Sequence, residues 1–270
     1  MKKNKSRTKW LTRQFFLISL SQGEPIIRRA LFCRARLARL GLICVVIPTL
    51  DAGERLPLCL NALIASAVDG LVTEVVVADG GSSDGTLAIA DAAGARIVPA
   101  ERGRGVQLCA GAAQVKAPWI LFLHSDTVLE ESWLREAADF VNAGDDRKVG
   151  VFTLDFDRDA MAAKIVAWGA MVRTRMFNSP YGDQGLLISR ALYEEIGGFR
   201  EMVLFEDVDI VARIRKTVGA GAFQILRARA ITSAARYERD GYARRVLSNA
   251  LLRLRYRMGA NPEKLASEYR

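Results

Sequence analysis

VVVADGGSSDGT, Val75 to Thr86, is a greasy run that ends abruptly in a carboxylate, two glycines and two serines. Its first half reads as a buried strand and its second half as the turn into a helix. Two readings of the junction are open. In one, Ser82, Ser83 or Asp84 caps the following helix and the glycines let the backbone turn tightly. In the other, the Asp79 carboxylate faces a pocket and accepts a proton from a uracil-like ring nitrogen. GGSSDG is not the GxGxxG of dinucleotide folds, so dehydrogenase chemistry is disfavoured.

The neighbouring sequence extends the pattern in both directions. LICVVIP (42–48) is a buried strand, followed by a helix with Leu56, Leu60, Leu63 and Ile64 on one face. After TEVVVAD (73–79), Thr86 to Ala93 is helical and stops at Gly94. ARIVPA is a short strand, another helix follows, and WILFLHSD (119–126) is a strand ending in polar residues. Continuous apolar strands alternating with helices predict an α/β fold, an open, mostly parallel sheet flanked by helices. Ligands of such sheets bind outside the carboxyl ends of the strands. Thr49–Asp51, Asp79–Asp84 and His124–Asp126 all fall there. Beyond about Asp155 the rhythm changes. A helix from Ala160 to Met176 leads to NSPYGDQG (178–185), then LLISR, a short helix, GGF, FEDVD and a helix through Lys216.

The chain has 270 residues, half of them hydrophobic, and a net charge of +9. Residues 1–41 hold 11 Lys+Arg and one acid, and residues 228–270 hold 10 against 4. The stretch between them is acidic, with 18 basic and 25 acidic residues. Basic ends on an acidic body suit an anionic surface or solvated tails, and no nucleic acid is expected. No apolar run approaches the roughly 18 residues of a membrane span, and FFLISL (15–20) lacks a convincing cleavage site, so a cytoplasmic protein is expected. The four cysteines, Cys33, Cys44, Cys59 and Cys109, show no CxxC pairing and read as reduced, mostly buried thiols.

Three polar groups stand out. His124-Ser125-Asp126 closes an apolar strand and carries the only histidine; Asp126 there could face Mg²⁺ or Mn²⁺ through diphosphate oxygens. Glu206-Asp207, with Asp209 beyond, follows an apolar stretch; acids there stabilise a helix start or serve as a general base. Arg102 and Arg104, in a Gly-rich loop, are either surface charge or partners for a diphosphate.

Taken in order, VVIPTLDAGERL, VVVADGGSSDGT, ERGRGVQLCAGAA, WILFLHSDT, GDQGLLISR, IGGF and FEDVD resemble the family 2 glycosyltransferases of GT-A fold. Within them the chain is similar to the transferase 2 subfamily associated with radical-SAM and selenodomain genes. The resemblance runs from about Ile43 to the C-terminus. It implies metal-assisted, inverting transfer from a nucleotide-diphosphate sugar, UDP-sugars favoured, to an acceptor hydroxyl. Donor contacts would come from Pro48, Thr49, Asp51, Glu54, Asp79, Gly81, Ser82, Arg102, Arg104 and Ser125. Asp126 and His124 would hold Mg²⁺ or Mn²⁺, with His124 where the DxD motif has its first acid. Asp207, with Glu206, would be catalytic, and Gly182, Asp183 and Gln184 would line the acceptor side. A related nucleotidyl or phosphosugar transferase, or a non-catalytic nucleotide-sugar-binding protein on the same fold, is the alternative.

The expected organisation is a basic extension over 1–41, a GT-A domain over 42–235 and a basic helical segment over 236–270. In that last segment Val246, Ala250, Leu254 and Met258, widened by Leu247 and Leu251, form an apolar stripe among arginines. The stripe either packs on the catalytic domain or lies on an anionic membrane beside a lipid-linked acceptor, at the inner face.

Overall fold

The computed structural model of the chain describes residues 42–268. The N-terminal extension, with FFLISL and Cys33, lies outside the described residues. β1 (Ile43–Thr49), α1 (Leu56–Val68), β2 (Val72–Asp79), α2 (Thr86–Ala92), β3 (Arg96–Pro99), α3 (Arg104–Ala112) and β4 (Trp119–Phe122) alternate as the apolar pattern predicts. They form a parallel sheet in the order β3-β2-β1-β4. Every residue of β1 is buried, because helices cover both of its faces. Cys44, Val46 and Val76 share a core with Leu108 of α3, while α1 packs against β2. A Cβ on Gly111 would stand 2.5 Å from Val46, so α3 lies against β1 as closely as a bare backbone permits.

The second half is mixed. β5 (Thr127–Leu129), α4 (Trp133–Asn142), β6 (Val149–Phe156), α5 (Met161–Phe177), a 3-10 turn (Gly182–Gln184), β7 (Leu186–Ser189), α6 (Arg190–Glu195), α7 (Glu206–Val218) and β8 (Phe223–Thr232) come next in the chain. They extend the sheet to β3-β2-β1-β4-β7-β6-β8-β5. β7 is antiparallel to both β4 and β6, β6 and β8 are parallel, and β5 closes the edge antiparallel to β8. Between β1 and β8 the chain passes from one half to the other once, through residues 123–126. The strand expected to run to Asp126 ends at Phe122. Leu123 N–H still donates to Val46 O at 3.0 Å, and Thr127 N–H then closes a turn on His124 O at 3.2 Å.

α8 (Ala235–Asp240), α9 (Tyr242–Arg257) and α10 (Pro262–Glu268) complete the described chain. They belong to the same compact unit as the sheet. Leu252 and Leu265 share a core with Leu204 and Phe205, and Tyr256 stacks on Phe205 at 4.7 Å. The C-terminal helices therefore pack on the segment that leads into Glu206-Asp207.

Candidate active site

The first loop cluster sits at the carboxyl ends of β1 and β2. Asp79 is buried and accepts four hydrogen bonds: from Thr49 Oγ1 (2.9 Å), Ser82 Oγ, Gly81 N–H (3.0 Å) and Ser82 N–H (2.8 Å). Burial pushes its carboxyl up, and these donors outweigh that and hold it below the usual range. A carboxylate offers about four lone-pair sites, so Asp79 is committed to shaping the loop. Asp51, with φ of 48°, faces it: Ser83 N–H donates to Asp51 Oδ1 at 2.8 Å and Asp51 N–H to Ser82 Oγ at 2.8 Å. Glu54 and Arg102 are exposed beside this loop, and Pro48 and Thr49 are buried in β1. Gln107, which the sequence did not single out, is buried and ties the ends of β1 and β2 together by donating to Thr49 O and Ala78 O.

The second cluster lines a cavity of about 530 Å³. Arg104, His124, Asp126, Asp183 and Asp207 all reach it. The 3-10 turn brings them together. Gly182 N–H donates to Asp207 Oδ2 at 3.1 Å, and a Cβ on Gly182 would stand 2.7 Å from His124 Nε2. Only glycine lets the turn lie between the histidine ring and the aspartate. Gln184 is fully buried below the turn: its amide accepts from Thr174 Oγ1 at 2.8 Å and donates to Phe152 O at 3.2 Å. Ser125 is half-buried in the 123–126 turn.

Glu206 is buried and turned onto Arg104, with which it forms an ion pair. Burial pushes its carboxyl up against the pull of that guanidinium. Successive positions at the start of α7 point about 100° apart, so Glu206 turns to Arg104 and Asp207 to the cavity, and Phe205 before them is in left-handed conformation with φ of 69°. Gly105 makes the pairing possible from the other side, since a Cβ there would stand 2.5 Å from Arg200 O and Met202 O. Asp209 is drawn off into pairs with Arg213 (2.7 Å) and Arg200 (3.1 Å).

His124 is pushed well below its ordinary pKa by burial and then by the charges of Arg104 and Arg236, so its ring is neutral. Asp183 is pushed up to about 6, by burial first and by Asp207 and Asp126 after it, against Arg173 and Arg104. Its folded value lies above its unfolded one, so between about pH 4 and 6 the native state holds the extra proton and loses stability as pH rises through that window. Asp183→Asn is expected to raise the melting temperature near about pH 7.5 and leave it almost unchanged near about pH 4. Melting curves across that range check this; an equal shift at both ends would mean that charge is not the cause.

Two arginines beyond those the sequence suggested complete the wall. Arg173 of α5 and Arg253 of α9 lie over the Tyr181 ring, with guanidinium carbons 3.3 and 4.5 Å from its centroid. Arg173 Nη2 is buried with no hydrogen-bond partner among the described residues. In the sequence it is one of two arginines, with Arg175, near the end of the helix pattern of 160–176, and nothing there sets it apart. Among the described residues Cys44 and Cys59 are buried and Cys109 is half-buried, as the expectation of mostly buried thiols has it.

The order of strands, the split between a loop cluster and a cavity, and the turn joining them can be set beside known proteins. The model of glycosyl transferase family 2 matches residues 44–179. A glucosyl-3-phosphoglycerate synthase from Mycolicibacterium paratuberculosis is 36% identical over 95 residues, covering 32% of this chain and 29% of that protein. The match thus spans less than a third of the relative's length. Among solved structures, glucosyl-3-phosphoglycerate synthase from Mycobacterium tuberculosis superimposes with a TM-score of 0.59 at 20% identity, covering 85% of this chain and 83% of that one. TarS residues 1–349 from S. aureus superimpose with a TM-score of 0.54 at 18% identity, covering 70% and 60%. These likenesses fix the fold as the GT-A type. With half of its length matched by the family model and its motifs placed at the strand ends of that fold, the chain belongs to glycosyl transferase family 2.

Proposed function

We propose that this chain transfers a sugar from a nucleoside-diphosphate donor, with UDP-sugars favoured, to an acceptor hydroxyl in a single inverting displacement. The observation that carries the reading is the meeting of three distant segments, 124–126, 182–183 and 206–207, at one cavity beside Arg104. Asp207 takes the hydroxyl proton. Glu206 acts through Arg104, holding its guanidinium where a diphosphate develops charge as the bond to the sugar breaks. Ser125 and the loop from Pro48 to Glu54, stiffened by Asp79, Gly81 and Ser82, receive the nucleoside, with Arg102 at its rim. Within the family, the histidine at the first position of HSD favours the radical-SAM and selenodomain-associated subfamily.

A divalent cation, Mg²⁺ or Mn²⁺, fits the donor set. Asp126, Asp183 and Asp207 share one cavity, and Asp183 Oδ1 is buried with no hydrogen-bond partner among the described residues. Asp126 and the neutral His124 would hold the cation. Among the described residues no group of three or more His, Cys, Asp or Glu could hold a metal alone, so donor oxygens would complete the shell. Bound there, the cation would neutralise charge on the departing diphosphate. Glucosyl-3-phosphoglycerate synthase from M. tuberculosis has been crystallised with Mn²⁺ and UDP-glucose, which supports this choice of donor and metal.

Arg173, Arg253 and Asp183 form the acceptor side, with Gly182 and Gln184 as its floor. Two arginines suit an acceptor that carries negative charge, and the same synthase has been crystallised with phosphoglyceric acid. A lipid-linked acceptor and a cytoplasmic location at a membrane's inner face would engage the outer faces of α5 and α9, whose groove shares Arg173 and Arg253 with the acceptor side. Among the described residues no helix is long and apolar enough to cross a membrane.

Thermal-shift screening against nucleoside diphosphates tests the reading. UDP at about 100 times its Kd should stabilise the fold by about 2.7 kcal/mol with Mn²⁺ present, and far less without it. No shift with any nucleoside diphosphate would remove the donor site. Binding without Mn²⁺-dependent hydrolysis of any UDP-sugar would instead indicate a binding protein on the same fold.

A further inference from the structure

α5 and α9 are built inside out. α5 turns small residues inward, Ala163, Ala167, Ala170 and Thr174 among them. It turns large apolar ones outward: Ile165 is 60% exposed, Trp168 68%, Met176 68% and Phe177 60%. α9 buries Arg245 and Leu252 and lays Tyr256 on Phe205. Leu247, Leu251, Leu254 and Met258, at spacings of four, three and four, remain in the open, Leu247 and Met258 each 70% exposed. The stripe expected to pack on the catalytic domain or to face a membrane therefore faces away from the domain. The two helices pack on each other, and Met176 and Phe177 of α5 meet Leu254 of α9 at one groove. Monomeric proteins rarely leave such a contiguous patch uncovered.

Charge selects what covers it. Together the two helices contain eight Lys+Arg and no acidic residue. Arg175, Arg244 and Arg257 are exposed and make no ion pair among the described residues. Where the helices meet, a groove of about 670 Å³ is lined by Arg173, Arg215, Arg253 and Arg257 together with Met176, Phe177 and Leu254. Basic groups within an apolar rim match a phosphate headgroup joined to an acyl chain. A second copy of the face would oppose positive charge with positive charge. We propose that the α5–α9 face docks on an anionic phospholipid bilayer, apolar side chains in the interface and arginines at the phosphates, with the groove against the lipid.

The full chain should co-sediment with vesicles of phosphatidylglycerol and phosphatidylcholine at low salt, and much less at high salt or with phosphatidylcholine alone. Arg175→Glu with Arg244→Glu should weaken binding more than about tenfold, each cation near the surface being worth roughly fivefold. Leu247→Gln with Leu251→Gln and Met258→Gln should do the same, with the melting temperature unchanged because all three are exposed. No binding to anionic vesicles, or binding in both sets of variants as strong as the wild type's, as residues 1–41 alone would give, overturns the proposal. So does equal binding to phosphatidylcholine alone, or a dimer that the same substitutions dissociate. Since the readout is sedimentation, failure here is separate from failure of glycosyl transfer.

Discussion

Asp207→Asn is expected to lower kcat by about 100- to 10,000-fold, the usual contribution of a general base, with donor affinity unchanged. Asparagine keeps an oxygen for the Gly182 N–H and the shape of the side chain, so the turn should survive. What it loses is the ability to take a proton. Because the acceptor hydroxyl is activated only on the way to the transition state, kcat should fall and the Kd for UDP should not. Single-turnover rates with calorimetric UDP binding check both halves. Turnover within tenfold of the wild type would move the base elsewhere, and Asp183, which shares the cavity, would be next to replace.

Asp126→Ala should remove the Mn²⁺-dependent part of UDP binding. Loss of a group that merely orients a metal ligand costs about 10- to 100-fold in metal affinity, so loss of a ligand should exceed that range. The fold should tolerate the change, since Asp126 is half-exposed in a turn closed by backbone bonds between Thr127 and His124. UDP titrations with Mn²⁺ and with EDTA give the comparison. Equal Mn²⁺-dependent affinity in variant and wild type would sink the assignment.

The parallel half of the fold was legible because its strands are buried on both faces and read as unbroken apolar runs: ICVVIPT and VVVAD cannot easily be anything else. β8 was not legible. Its sequence, FQILRARAIT, carries Arg227 and Arg229 at alternate positions, as a strand with one wet face does, and the stretch counted as basic from residue 228 begins inside it. β6 escaped because the apolar rhythm changes only at Asp155, inside the strand itself. Residues that line the cavity were visible where polar groups are concentrated in short motifs, HSD and ED above all. The different directions of neighbours were not: nothing local shows that Glu206 turns to Arg104 and Asp207 to the cavity. Asp79 has the sequence context of a ligand contact, and only the four donors around it reveal that its lone pairs are taken. Arg173 and Arg253 lie 80 positions apart, and nothing local announces that one tyrosine ring joins them.

The chain changes sides of its sheet once, at residues 123–126, and this makes the two halves inheritable as cassettes. Everything that would grip the nucleoside is spelled at or before Ser125. Asp183, Arg173 and Asp207, which would meet the acceptor, are spelled after Asp126. A graft that keeps residues 42–126 and exchanges the chain beyond Asp126 would carry its donor with it and take up a new acceptor. The HSD turn is then the splice point at which one sugar donor can be married to many recipients, and the shortest segment that both cassettes must agree on.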